Sequence, residues 1–417
     1  MSLVDREQGS SPAEPGLRAR IVANLIRRMT TGTDVAIEGI DDNADNWARF
    51  EITLPRLTTM LRIALDPEYW IPASFVRGDW QLARGDLGDF STYVLDQTQG
   101  RFTKRFSTRQ QRNLTLNHFF KHWIRPLKST RSVRTHYDID PRVYELILDP
   151  EMLYTAAFYE NTNDLAEAQQ IKMARAVERL NLPEAARVLE IGMGWGGFSR
   201  HLARHSPTAT LCGLTIAKEQ LAWANDHNAR ALTPDQMARV HPLLEDFRAH
   251  EPAELYDGIV SFGLFEHVGQ RMYPDFFRRC HDMVKPGGRV LVHTIVKNRS
   301  NSPTNRWIDR HIFPGGYIPS IAETTRGAEA ADLNLAALHL HGPENYAQTC
   351  RDWRENLVKN RDALLKLYTC DIGLPQQAAE QAYRTWEIYL AGAEAGFRVK
   401  QRPMQTAQFV FQRPLPG

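Results

Sequence analysis

The residues best suited to chemistry begin at Glu190. Glu190-Ile191-Gly192-Met193-Gly194-Trp195-Gly196-Gly197 sets an acid directly before a glycine loop. The loop joins an apolar run, Arg187–Ile191, to a helical stretch, Phe198–His205. Gly192, Gly194 and Gly197 satisfy GxGxxG, and Gly192, Gly194 and Gly196 satisfy GxGxG, spacings that let the backbone approach a nucleotide-like ligand. A dinucleotide would require an acid about 20 residues on, at the end of the second strand, for its ribose. That place reads Gly213-Leu214-Thr215-Ile216-Ala217, with no acid. The phosphate-gripping Lys-Ser/Thr pair of a P-loop is missing too. The acids stand instead at Glu190 and, after the third strand, at Asp246. Acids there suit a cationic ligand carrying an amino acid part and an adenine. With the turn Lys285-Pro286-Gly287-Gly288 before the fifth strand, the pattern points to S-adenosylmethionine. The plainer possibility is that the glycines serve only a tight strand–helix turn.

A second group lies further on. Phe265-Glu266-His267-Val268-Gly269 follows the fourth strand, and His293 ends the apolar strand Val290-Leu291-Val292. An imidazole at that edge of a sheet is placed to accept a proton. A purely structural role would make His293 a core histidine and Glu266 a helix cap.

The elements that must position these residues alternate at α/β spacing. Strands are expected at Arg187–Ile191, Ala209–Thr215, Ala238–Leu244, Tyr256–Phe262 and Arg289–Ile295, with a closing pair at Phe397–Lys400 and Thr406–Gln412. Helices are expected at Phe198–His205, Ala217–Ala229 and Tyr273–Val284. This is a doubly wound, Rossmann-like sheet with its ligand over the carboxyl ends of the strands. Before it, residues 17–99 read as a small α+β domain, with strands at Val35–Glu38 and Ala48–Ile52 and helices at Pro55–Ala64 and Leu87–Gln97. Residues 1–16, rich in Ser, Pro and Glu, read as a disordered tail.

At 417 residues, 42% apolar and 24% charged, the chain can build a sizeable core. No apolar run approaches the roughly 18 residues of a spanning helix, and the start lacks the order of a secretory signal. Cys212, Cys280, Cys350 and Cys370 are scattered, which argues against a zinc module or disulfide framework and fits a reducing cytoplasm. No metal is expected. The net charge of +2 hides one basic segment: between Arg101 and Arg134 lie ten Lys or Arg and no Asp or Glu. Phe102, Phe106, Phe119, Phe120 and Trp123 are interleaved. Residues 100–135 therefore read as a linker able to lie on an anionic membrane surface. The same composition would also suit a basic helix packed on acidic neighbours, and a nucleic acid partner is not expected.

Six ordered motifs carry a resemblance. His136-Tyr137-Asp138, Leu148–Thr155, Val188–Gly197, Phe265–Gly269, His293-Thr294-Ile295 and Ile312–Ser320 look like the cyclopropane-fatty-acyl-phospholipid synthases and mycolic acid cyclopropane synthases. The likeness covers about 136–412 and extends weakly to Phe75–Trp80. It implies a class I methyltransferase domain over 136–417, with an acyl-binding insertion at about 297–385. It implies methyl transfer from S-adenosylmethionine to the cis double bond of an acyl chain in a phospholipid, then deprotonation of a carbocation to a cyclopropane. The cysteine usage and the basic segment together lead to the expectation of a cytoplasmic protein, peripheral on the inner face of the membrane; a homo-oligomer is one option.

The resemblance assigns residues as well. Tyr154 and Thr155 would cover the cofactor, Glu190, Gly192, Gly194 and Gly196 hold its amino acid end, Thr215 and Gln220 lie by the ribose, and Asp246 and Phe247 address the adenine. A bicarbonate ion, held by Glu266, His293, Tyr346 and the backbone of Ile295, would be the base. Phe158, Trp307, Phe313 and Tyr317 would wall an acyl tunnel, with simple core packing the alternative for each. Two family cysteines are missing: their places are Ala156, in Tyr154-Thr155-Ala156-Ala157, and Ala393. The grip on the base is therefore altered, and a methyl-branched or methylene product becomes an alternative, with Glu145 a substitute carboxylate. The same build could also serve a small-amine N-methyltransferase or a lipid-binding protein without catalysis.

Overall fold

Strands that are apolar at nearly every position need cover on both faces. In a computed structural model, which describes residues 16–29, 34–38, 41, 48–53, 55–105, 140–302, 304–401 and 403–417, the runs at 187–191 and 256–262 lie at the centre of such a sheet. The chain divides into two compact units, up to Phe90 and from Ser91 onward.

In the smaller unit β1 (Val35–Ile37) pairs in parallel with β2 (Phe50–Ile52), and β3 (Leu82–Arg84) runs antiparallel to β2. Helices Leu17–Met29, Leu57–Leu65 and Pro67–Arg77 accompany them. The last has proline at its first position and ends at Gly78, whose φ of 75° is the left-handed conformation glycine tolerates. Buried Trp80 lies against Phe75 and Phe90, and its indole N–H donates to Ser74 Oγ at 3.0 Å. The Phe75–Trp80 turn thus anchors this unit's core. Helix Leu87–Arg105 runs beyond the expected Gln97.

The larger unit holds, among the described residues, a seven-stranded sheet in the order β6-β5-β4-β7-β8-β10-β9. Its strands are β4 (Arg187–Ile191), β5 (Thr210–Thr215), β6 (Val240–Leu244), β7 (Tyr256–Phe262), β8 (Val284–Val296), β9 (Asn334–His341) and β10 (Gln405–Gln412). Pairs from β6 through β8 are parallel, and β10 is antiparallel to both its neighbours. Alternate residues feed two cores. Val290, Val292, Phe409 and Phe411 face Tyr273, Phe276 and Phe277, while Leu291 and Val410 face Met173, Leu180 and Phe198. The order turns back between β4 and β7, where a doubly wound sheet opens its ligand crevice.

Two expectations are corrected. Phe397–Lys400 is not a strand: helix Gln376–Arg398 runs through Phe397, carried by Tyr383, Trp386, Leu390, Ala391 and Ala395, all buried on it at helical spacing. The partner of β10 is β9, whose exposed, alanine-containing sequence gives a weak strand signal. The basic segment from Phe106 onward, the tail 1–15 and His136-Tyr137-Asp138 lie outside the described residues. Among the described residues no helix is long and apolar enough to cross a membrane.

Candidate active site

The cavity opens where β4 and β7 part. Tyr154, Thr155, Glu190, Gly192, Gly194, Thr215, Gln220, Asp246 and Phe247 all line it, with Phe262, Leu264 and His267 on the β7 side. Gly196 does not; with φ 78° it caps helix Gly197–His205, and a side chain there would meet Arg200. Gly194, at φ 53°, has nothing within 4 Å of a built Cβ, so it borders open space.

Buried polar residues brace this frame. Arg200 is fully buried and donates to Glu151 Oε2 (2.6 Å), Asn228 Oδ1 (3.1 Å) and the Trp195 carbonyl (2.8 Å), fixing the glycine loop. Glu190 is 3% exposed and accepts from Ser199 Oγ at 2.8 Å. Burial pushes its carboxyl up to about 8, against the pull of Ser199 and Arg200. Thr215 Oγ1 donates to Gln220 Oε1 at 2.8 Å and accepts from the Ala217 N–H. Asp246 is engaged by Arg248 Nε at 2.9 Å.

The second group gathers at the end of β8. Glu266 Oε1 accepts from the Ile295 N–H at 2.8 Å, so that backbone donor holds the carboxyl. Glu266 Oε2 and His293 Nδ1 are buried and, among the described residues, have no hydrogen-bond partner. Burial raises the Glu266 carboxyl and holds the His293 imidazole well below its ordinary range. His293, 2% exposed, has Phe158 and Phe262 beside it, ring centres 5.7 and 5.8 Å away. Tyr346 stands on helix Pro343–Lys359, its ring against Phe397 and Trp353. Ala156 is buried, a methyl where the resemblance expects a thiol. Glu145 is exposed and accepts from the Trp223 indole at 2.8 Å.

Of the four expected tunnel aromatics, Phe313 packs beside the cavity residue His267, at 5.4 Å. Phe158 stacks on His341 at 3.6 Å, Trp307 is buried near His311, and Tyr317 donates its hydroxyl to Glu323. Sequence reasoning missed a larger aromatic group. Tyr154 donates to the Tyr389 hydroxyl at 3.1 Å and is flanked by Tyr144, Trp353 and Trp386. These rings come from three separate helices and the loop that carries Tyr154, so no local spacing links them. Lys172 and Gln169 were also missed, although two polar residues on the buried face of helix Leu165–Leu180 are a readable signal.

Sheet order, glycine loop and cavity define a Rossmann-like, class I S-adenosylmethionine-dependent methyltransferase. The sequence model of the mycolic acid cyclopropane synthetase family matches residues 125–409, and the chain belongs to that family. It is 30% identical over 280 residues to the cyclopropane-fatty-acyl-phospholipid synthase of Escherichia coli, covering 67% of each chain. It is also 30% identical over 307 residues to the tuberculostearic acid methyltransferase of Mycobacterium tuberculosis, covering 66% of this chain and 67% of that one. The mycolic acid cyclopropane synthase CmaA1, solved with S-adenosylhomocysteine and CTAB, superposes with a TM-score of 0.59 at 26% identity, over 68% of this chain and 98% of that one. The enzyme therefore uses S-adenosylmethionine, and its relatives act on fatty acyl lipids.

Proposed function

We propose that the enzyme transfers the methyl group of S-adenosylmethionine to the cis double bond of an unsaturated fatty acyl chain of a phospholipid, and that loss of a proton closes a cyclopropane. The observation that carries this reading is the pair of unsatisfied polar atoms at the end of β8, Glu266 Oε2 and His293 Nδ1, beside aromatic rings. Bound S-adenosylmethionine supplies an electrophilic methyl group on sulfur. An alkene is a weak nucleophile, so the walls Tyr154–Thr155 and Phe262–Leu264 contribute chiefly by alignment. A carbocation forms on the acyl chain and must be shielded from water; Tyr154, which lines the cavity and is backed by Trp353, Trp386 and Tyr389, can steady it.

A small anion fits the β8 end. Burial raises the Glu266 carboxyl, which favours its protonated, donating form, while an imidazole held neutral can donate or accept at Nδ1. Bicarbonate bound there would supply a proton acceptor. Glu266, oriented by the Ile295 N–H, and His293 would hold it, with Tyr346 as the third candidate. Phe158 and Phe262 keep water from His293.

Ala156 supports a second reading, in which the looser grip lets a proton leave a neighbouring carbon and gives a methyl-branched or methylene chain. The deciding experiment incubates the enzyme with S-adenosylmethionine and unsaturated phospholipid, then determines the product's structure. A cyclopropane has lost the double bond; a methylene product retains unsaturation. Unchanged lipid, with cofactor binding intact, would refute both.

A further inference from the structure

Helix Leu165–Leu180 presents Gln169 and Lys172 on the same buried face as Ala168, Met173 and Ala176. Lys172 has no solvent exposure, and a buried ammonium is costly unless its surroundings compensate it. Its Nζ donates to Thr155 Oγ1 at 2.6 Å and stands 5.5 Å from the centre of the Phe262 ring. Both of those residues line the cofactor cavity. The titratable groups facing it are Asp149 from the preceding loop, Glu190 from β4 and His293 from β8; Arg200, from helix Gly197–His205, faces Glu190 in turn.

The same helix pins the cavity wall elsewhere. Gln169 Nε2 donates to the carbonyls of Leu153 (3.2 Å) and Thr155 (2.9 Å), and Asp149 accepts the N–H groups of Glu151 and Leu153, each at 2.9 Å. Residues 152–155 are thereby held against the cavity from beneath, and Lys172 is the cationic member of the clamp.

We propose that Lys172 is a positioning residue that couples cofactor binding to a proton: it holds Thr155 in the cavity wall, and as a resident cation beside Glu190 it opposes a second positive charge until a proton leaves. The inference rests on the cavity being the S-adenosylmethionine site. Burial pushes the Lys172 amine down to about 7, with Asp149 and Glu190 pulling the other way, while Glu190 is pushed up to about 8 by its own burial. Near neutral pH each therefore titrates readily. An arriving sulfonium lowers both values, so the proton goes from Lys172 Nζ or the Glu190 carboxyl to solvent, and affinity rises with pH. S-Adenosylhomocysteine, whose sulfur is neutral, exerts less of this effect.

The test is calorimetry of S-adenosylmethionine and of S-adenosylhomocysteine binding, from pH 6 to 8, in buffers of different ionisation enthalpy. The wild type should release more protons with the sulfonium ligand, and its affinity for that ligand should rise by up to about tenfold per pH unit. Lys172→Met should cut the excess proton release by at least half. Equal proton release for both ligands in the wild type, or an undiminished excess in folded Lys172→Met, would overturn the proposal. If the variant does not fold, equal proton release for both ligands in the wild type still overturns the proposal. A wild type that binds neither ligand would overturn the cofactor assignment beneath it.

Discussion

Gly194→Val separates the cofactor site from the fold more cleanly than any other change in the glycine loop. A Cβ built at Gly194 meets no atom within 4 Å, so the branch point of the new side chain displaces nothing. The remaining cost is backbone strain at φ 53°, on the order of 1–3 kcal/mol for a residue disfavoured there. Against the roughly 5–15 kcal/mol of a typical folded protein, that lowers the melting temperature without abolishing folding. Gly192 contrasts with it: a Cβ there would lie 2.8 Å from Leu264 Cδ1, so its replacement disturbs packing and site together. In Gly194→Val the isopropyl group occupies space where the ligand approaches the backbone. A loss of at least about a hundredfold in affinity, equivalent to about 2.7 kcal/mol, is expected. Calorimetric titration with S-adenosylmethionine, paired with a thermal melt, measures both quantities. A cooperatively melting variant whose affinity stays within about threefold of the wild type would refute the assignment of Gly194.

Five more outcomes are expected. His293→Ala should lose activity by about 10² to 10⁴, as for general acid–base groups, with cofactor affinity unchanged; full activity would remove His293 from the mechanism. Because burial keeps that imidazole neutral, its titration should leave no inflection in the rate between pH 6 and 8. Ala156→Cys should shift the product toward cyclopropane, read by product analysis, and an unaltered product ratio would sever Ala156 from product choice. Glu145→Gln should change the rate by less than about twofold, since Glu145 is exposed and tied to Trp223; a severe loss would restore it as the base. Replacing Arg105, Arg109 and Arg112 with Gln should weaken sedimentation with anionic vesicles at low salt, at about 1 kcal/mol per charge. Equal wild-type sedimentation on neutral and anionic vesicles would defeat membrane docking.

The sheet was legible wherever one strand's own sequence decided its state. β4 and β7 lie at Arg187–Ile191 and Tyr256–Phe262, as their short apolar cores, Val188-Leu189 and Ile259-Val260, followed by turn residues, suggest. β9 was not legible, because half its residues face solvent and only its pairing with β10 makes it a strand. Phe397 misled for the opposite reason: a short apolar stretch suits a strand end or a helix end equally, and the long helix before it decides. In the cavity, motif residues close in sequence were readable. The ring cluster of Tyr154, Trp353, Trp386 and Tyr389 was not, since residues 154 and 389 meet only through the tertiary fold. Lys172 had a local signal, a lysine at a core-facing helical position, that motif reading passes over.

The position of β10 sets an order on how this enzyme comes into being. It is the last strand in the chain, yet it is inserted between β8 and β9, with Gln408 directly opposite His293. Synthesis proceeds from the N-terminus, and domains generally fold as units. The glycine loop and its neighbouring parallel strands can therefore assemble on a nascent chain well before residues 405–412 emerge. During that interval one edge of β8, the strand that carries His293 and Ile295, lacks its final partner. Competence to bind the cofactor can thus precede competence to react, and a chain interrupted shortly before residue 405 would retain the cofactor loop while leaving the reaction centre unclosed. Chains stalled on either side of β10 differ little in length and sharply in what they can do.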